Sequence, residues 1–286
     1  MIKIIECPRD AMQGIKEFIP TALKIEYINQ LLKVGFHTLD AGSFVSHKAI
    51  PQMADSAEVF ASLDWKMSNT KLLAIVANEK GAEQAVQFNH INYLGFPLSV
   101  SETFQQRNTN ASISEALIRV SNIQHIATES NKNLVVYLSM AFGNPYGDNW
   151  NEQIIADFIK QLLDLDIHII SLADTVGSAT PLQIESIFKS SHQIIKNQAE
   201  LGLHLHAAEN QVFEKATAAF LAGCQRMDGA LKGFGGCPMA ADNLVGNMDT
   251  EILLSAIPAH ELQNPINQNE LKEAIELANA LFLKYH

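Results

Sequence analysis

The amino-acid sequence predicts an α/β fold: a single (β/α)8 TIM barrel that takes residues 1–286 as one domain and ends in a closing C-terminal helical segment. Three observations lead there. Eight short runs rich in β-branched residues recur along the chain, patterns of helical period lie between them, and the runs are apolar on both faces. Strands buried on both faces and separated by helices build parallel sheets, and eight such units close a barrel. An open doubly wound sheet would use the same elements. However, no G-x-G-x-x-G follows the first strand and no P-loop occurs, so the usual nucleotide fingerprints of that architecture are missing.

In chain order the strand candidates are IKIIE, FHTLDA, KLLAIVA, INYLGF, NLVVYLS, IHIISLA, LGLHLHA and QRMDGAL. Between the first two, ALKIEYINQLLKVG puts Leu23, Ile28, Leu31 and Leu32 on one face of a helix, and Gly35 stands where a left-handed stop is needed. Further helices are readable in SISEALIRVSNIQHIATES, NEQIIADFIKQLLDLD, TPLQIESIFKSSHQIIKNQ and NQVFEKATAAFLAG, and the tail NQNELKEAIELANALFLKYH reads as the closing helix. No Pro/Gly/Ser-rich linker or low-complexity stretch divides the chain.

With 286 residues and 47% hydrophobic content, the chain can bury a sizeable core. A formal net charge of −11 argues against nucleic acid or an anionic membrane surface as the main partner, so any anionic ligand must meet locally placed cations. The start, MIKIIECPRD, lacks the apolar stretch of a signal peptide, and no run approaches the ~18 apolar residues of a membrane span. A soluble, cytoplasmic protein is expected. Cys7, Cys224 and Cys237 form neither an even set nor a C-x-x-C pair, which points away from disulfides and leaves room for a functional thiol.

The residues with chemical potential fall in three places. His204 and His206 are two apart on a strand, so they project from one face near the strand's C-terminal end, while Leu203 and Leu205 face the other way. The first strand ends in Glu6 and is followed by Arg9, Asp10 and Gln13; a carboxylate there could join two imidazoles around a cation, and a guanidinium could hold an oxyanion. Gly233, Gly235 and Gly236 lead directly into Cys237, a pattern that suits a mobile loop carrying a thiol. Each feature alone has a plainer reading as two core histidines, a surface ion pair, or a turn ending in a buried cysteine.

Together, ECPRDAMQG, SFVSHKAIPQMAD, SLADTVGSATP, the H-x-H strand and GFGGCPMAADNLVGN resemble, in order and approximate spacing, the 3-hydroxy-3-methylglutaryl-CoA lyase family. That family belongs to a wider group of metal-dependent barrels that includes isopropylmalate and citramalate synthases, and the resemblance runs through nearly the whole chain. It implies that Asp10, His204 and His206 hold a divalent cation, with the Asn247 side-chain carbonyl as fourth ligand. Two imidazoles and two oxygens suit Mg²⁺ or Mn²⁺. The implied reaction cleaves a branched hydroxyacyl-CoA thioester to acetoacetate and acetyl-CoA. Asp10 or His204 would take the hydroxyl proton, Arg9 would hold the enolate oxygen, and Cys237 would protonate the enolate carbon.

By the same resemblance, Gln13, Asp40, Ser43 and Asp174 would support the metal or the substrate at the rim, and Arg107 would meet the phosphates of coenzyme A. The implied partner is a small CoA thioester and a homodimer is expected, with no nucleic acid or membrane partner. The chain departs from the family pattern at several points. Asp40 stands where the family has Glu, Val135 where it has a strand-five arginine, and Ala207 where it has a carboxylate after the H-x-H; one extra residue separates Cys237 from Asn247. Two competing readings are a Claisen-type synthase of the same group and a non-catalytic barrel. The short chain leaves no room for a synthase's regulatory domain, and GFGGCP points to the lyase. A scaffold has no physical need for metal ligands, arginine and thiol together.

Overall fold

The computed structural model describes residues 1–236 and 245–285. Eight strands, β1 (Lys3–Glu6), β2 (Thr38–Ser43), β3 (Lys71–Ile75), β4 (Ile91–Ser99), β5 (Asn133–Ser139), β6 (Ile169–Asp174), β7 (Glu200–Leu205) and β8 (Arg226–Gly229), form a closed barrel in sequence order. Every neighbouring pair is parallel, and the barrel shuts where Ile5 of β1 pairs with Asp228 of β8. All eight strand candidates therefore form, and the TIM-barrel expectation holds.

The helix read between the first two strands is α2 (Thr21–Val34), which follows the single-turn-and-a-half α1 (Pro8–Gln13). It ends on Gly35 at φ 97°, and Ile28, Leu31 and Leu32 are buried along it. Two helices after β2 and β3, α3 (Ser56–Ser62) and α4 (Glu79–Ala85), were not anticipated. With seven residues each, they span too few turns to show a helical period. The helix α5 (Glu102–Thr109) precedes α6 (Ile113–Glu129), which starts on a reciprocal Ser112–Glu115 cap, as α8 (Pro181–Ile195) starts on Thr180–Gln183 after α7 (Glu152–Asp164).

The chain continues through α9 (Glu209–Leu221) and α10 (Thr250–Ser255) to α11 (Gln268–Tyr285). This last helix packs on α2, with Phe282 meeting Tyr27 edge-to-face at 6.0 Å and stacking on Phe234 at 4.3 Å. It thereby braces the glycine-rich segment after β8. Among the described residues no helix is long and apolar enough to cross a membrane.

The lumen is divided by polarity. Leu73, Ile75, Val135, Tyr137 and Ile169 form an apolar cluster on the β3–β6 side, so the Val135 position is filled by hydrocarbon packing. The β7, β8 and β1 side is polar. Leu201, Leu203 and Leu205 face the helices, and the alternate residues Gly202 and His204 face inward, as strand parity requires. Arg226 is wholly buried there, 3.5 Å from Glu200, which also pairs with Lys3. Gly202 makes this possible, because a Cβ at that residue would lie 2.3 Å from Arg226 Cγ.

Candidate functional site

A cavity of about 380 Å³ opens at the C-terminal end of the strands, with Arg9, Asp10, Gln13, Tyr137, His204 and His206 among its lining residues. The C-terminal face is where barrels of this kind keep their chemistry. Pro8 at the first position of α1 turns the chain directly after β1, and the helix presents Arg9, Asp10 and Gln13 as one group. Arg9 grips Asp40 through Nε, at 3.0 and 3.2 Å, and through Nη2, while its Nη1 donates to Asp10 Oδ1 and Gln13 Oε1, both at 2.8 Å. Gln13 Nε2 returns a bond of 2.6 Å to the same Asp10 oxygen. One Nη2 hydrogen of Arg9 is left without a partner among the described residues.

Ligand atoms of Asp10, His204 and His206 lie within 4.8 Å of one another. Each imidazole is aimed by the bond its Nδ1 makes: His204 to Asp228 Oδ2 at 3.1 Å, and His206 to the Val245 carbonyl at 2.8 Å. Both Nε2 atoms are thus the nitrogens left for a cation, the arrangement in which outer partners fix the tautomer of metal-binding histidines. Asn247 bridges antiparallel to His206, and its Nδ2 donates to Asp10 Oδ2 at 2.8 Å and to the Phe234 carbonyl at 2.9 Å. With the amide hydrogens so committed, its Oδ1 is the free group among the described residues, as a fourth ligand requires. These residues fit a divalent cation with oxygen and nitrogen donors.

The charges are set by the same contacts. Burial alone would raise the Asp10 pKa, but Arg9, the two imidazoles and the Asn247 amide together bring it down to about 2, so it is a carboxylate throughout the neutral range. Burial lifts Asp40 to about 6 against the pull of Arg9, which leaves the Arg9–Asp40 pair ionised at neutral pH. His206 is lowered by burial, and His204, although buried, is raised by Asp228 and Asp10.

Glycines serve the site by letting backbone approach side chains. Gly235, at φ 101°, sits where a Cβ would be 2.6 Å from Asn247 Nδ2 and 2.7 Å from the Asp10 carbonyl. The Gly-rich segment is therefore pressed against the proposed ligands themselves. Both of its stems are tied to Glu6, which accepts the Leu231 N–H at 2.8 Å and the Thr250 hydroxyl at 2.6 Å. Cys237 lies outside the described residues.

Two other expected site residues, Asp174 and Ser43, are placed elsewhere. The register pairs Ala173 with His204, so Asp174 falls with Leu205 on the outer parity, and its carboxylate accepts the Ala179 N–H at 2.6 Å to fold the loop after β6. Ser43 donates to the Ile75 carbonyl at 3.3 Å and accepts from Val45 N–H at the strand's end, outside the cavity lining. Arg107 lies at the cavity with its guanidinium 4.7 Å over the Tyr146 ring. Sequence reasoning missed Asp228, Tyr137 and Arg119. Asp228 was detectable as a carboxylate two residues from Arg226 in an interior strand, but its partner His204 is 24 residues away. Gln52 and Lys24 also went unread: Gln52 bonds Ile19, Ile15 and Glu17, and Lys24 bonds Asp55, bracing the loop whose Val45, Ser46 and Ala49 wall the cavity.

The comparisons bear on this geometry directly. The HMGL-like family model matches residues 2–278. The chain belongs to the HMGL-like family. It is 33% identical to a rat protein named 3-hydroxy-3-methylglutaryl-CoA lyase, cytoplasmic, over 96% of this chain and 79% of that one. An HMG-CoA lyase from Acinetobacter baumannii, solved with coenzyme A and 3-methylmalate, superposes with a TM-score of 0.88 at 32% identity, covering 98% of this chain and 91% of the other. The HMG-CoA lyase from Brucella melitensis gives a TM-score of 0.89 at 30% identity and covers 98% of both. This places the chain in a family of TIM-barrel enzymes and makes it similar to HMG-CoA lyases.

Proposed function

We propose that this HMGL-like protein is a divalent-metal-dependent lyase that cleaves 3-hydroxy-3-methylglutaryl-CoA, or a close 3-hydroxyacyl-CoA, to acetoacetate and acetyl-CoA. One observation carries the reading: Asp10, His204 and His206 converge on one point at the cavity, and among the described residues the Asn247 carbonyl is left free beside them and Arg9 keeps one N–H unspent. Asp10, His204, His206 and Asn247 would hold Mg²⁺ or Mn²⁺, which when bound supplies Lewis-acid polarisation of the substrate's hydroxyl and carbonyl oxygens.

The protein's own groups do the rest. Asp10 is the acceptor for the tertiary hydroxyl proton as the carbon–carbon bond breaks, because His204, with Nε2 turned to the cation and Nδ1–H given to Asp228, has no lone pair left for it. The bonding pair passes to the thioester side as an enolate, and Arg9, fixed by its fork to Asp40, donates to the enolate oxygen. Because Arg9 is immobilised before the charge develops, it need not reorganise during the reaction. Cys237 follows directly on Gly236 and would return a proton to the enolate carbon, completing acetyl-CoA. Arg107 and Arg119 at the cavity provide the local cations that an acidic chain needs for coenzyme A phosphates.

The test is to incubate Mn²⁺-loaded protein with 3-hydroxy-3-methylglutaryl-CoA and measure acetoacetate, with acetyl-CoA plus 2-oxo acids as the opposing arm. Acetoacetate release supports the lyase. Condensation with thiol release, or no turnover in either arm, refutes it.

A further inference from the structure

On the barrel side of His204 a second set of ligand atoms converges. Cys7 Sγ, His204 and Asp228 offer one atom each, all within 4.8 Å of one another. Cys7 is fully buried and Asp228 is 2% exposed. Asp228 Oδ1 is buried with no hydrogen-bond partner among the described residues, and the Cys7 thiol has only a 4.0 Å contact with the Ile5 carbonyl. A buried carboxylate oxygen with nothing to accept is costly, and such groups call for an explanation.

We propose that Cys7, His204 Nδ1 and Asp228 form a separate site for a borderline or soft divalent cation such as zinc, cobalt or cadmium, and that its occupancy excludes a cation from the Asp10 site. The donor set is the first argument: thiolate, imidazole and carboxylate match such ions and not Mg²⁺. Charge is the second. A divalent ion with one thiolate and one carboxylate is neutral overall, as a buried cluster must nearly be. On binding, the thiol proton is released to solvent.

Exclusion follows from the ring. A neutral imidazole has one lone pair, so His204 can turn it to Asp10 through Nε2 or to Cys7 through Nδ1, but not both. With Nδ1 coordinated, the ring proton resides on Nε2 and the Asp10 site loses a ligand. This second part rests on the reading of Asp10, His204, His206 and Asn247 as a cation site; the occupancy of the Cys7 site does not.

The experiment adds Co²⁺ to metal-free full-length protein and records the near-ultraviolet thiolate-to-cobalt charge-transfer band, together with cobalt–sulfur scattering by X-ray absorption. The band is expected in the wild type and in Cys224→Ser and Cys237→Ser, and is expected to be lost in Cys7→Ser and Cys7→Ala. No band in the wild type, or an undiminished band in folded Cys7→Ser, overturns the site. Repeating the titration with saturating Mn²⁺ should weaken the apparent cobalt affinity by roughly tenfold or more, the scale on which a lost ligand partner acts. A band indifferent to Mn²⁺ that is itself bound, seen by electron paramagnetic resonance, overturns the exclusion. Mn²⁺ that fails to bind at all refutes the Asp10 site while leaving the Cys7 band to stand.

Discussion

Replacing Glu6 by glutamine tests how the barrel holds its glycine-rich segment. Burial raises the Glu6 pKa from 4.5 to about 8; the Thr250 and Leu231 bonds pull against this, and Glu251 and Asp249 add to it. The folded pKa lies above the unfolded one, so the folded state keeps a proton that the unfolded chain gives up. Stability from this group is fully present below about pH 4.5 and is lost as pH rises through about 8. At about 1.4 kcal/mol per pH unit across that window, the loss amounts to about 5 kcal/mol. The glutamine side chain would imitate the protonated acid: its carbonyl accepts the Leu231 N–H, its amide faces the Thr250 oxygen once that hydroxyl's hydrogen turns away, as the acid's own O–H requires, and it cannot ionise. Urea unfolding followed by circular dichroism at about pH 5, 7 and 9 should show the wild type losing stability with pH and Glu6→Gln remaining flatter, the two diverging by up to that amount. Asp40, raised from 3.8 to about 6, contributes the same sign in both proteins and cancels from the difference. Parallel pH curves for the two proteins would show that Glu6 does not hold its proton, and the argument would fail.

Four other outcomes are expected. Asp228→Asn should weaken Mn²⁺ binding roughly 10–100-fold in a protein of unchanged circular dichroism, since His204 loses the carboxylate that aims it; unaltered affinity by electron paramagnetic resonance would remove Asp228 from the site. Gly235→Ala should also cost Mn²⁺ affinity, because its Cβ would collide with Asn247 Nδ2 at 2.6 Å on a backbone already at φ 101°, and isothermal titration reads the loss. Gly202→Ala should destabilise by about 1–3 kcal/mol in urea unfolding through overpacking, because its Cβ would lie 2.3 Å from Arg226 Cγ; unchanged stability would show that the Arg226 stem can move aside. Cys237→Ser should lose most turnover and keep its cation, as measured by parallel acetoacetate and Mn²⁺-binding assays.

What could be read in advance divides along a physical line. The eight strands follow from short β-branched runs, apolar on both faces, set between helical periods, and the H-x-H face follows from period-two parity; neighbours in sequence express both. The Arg9–Asp10–Gln13 group was also visible, because one short helix carries it. What the residues bond across the barrel was not visible. The Arg9 fork closes on Asp40, 31 residues away, and the Leu231 N–H meets Glu6 across 225 residues, contacts that exist only once β1 has paired with β2 on one side and β8 on the other. Asp174 shows how a one-residue phase decides a role: it adjoins Ala173, which faces the cavity, yet its own parity sends the carboxylate to the loop.

The substituted lumen carries the same argument further. With Val135 on β5, a hydrocarbon fills the lumen position that the family resemblance gives to an arginine. The lumen nevertheless holds a guanidinium, from Arg226 on β8, and that side chain fits only because Gly202 on β7 lacks a Cβ. Neither Gly202 nor Arg226 stands out in its own strand, where one reads as a weak position and the other as a misplaced charge. They make sense as a pair, and the pair makes sense beside Glu200 and Asp228, two carboxylates in an enclosed space that need a cation in reach. The charge that steadies the underside of His204 is therefore a property of two adjacent strands, β7 and β8, and substitutions there should be judged together rather than singly.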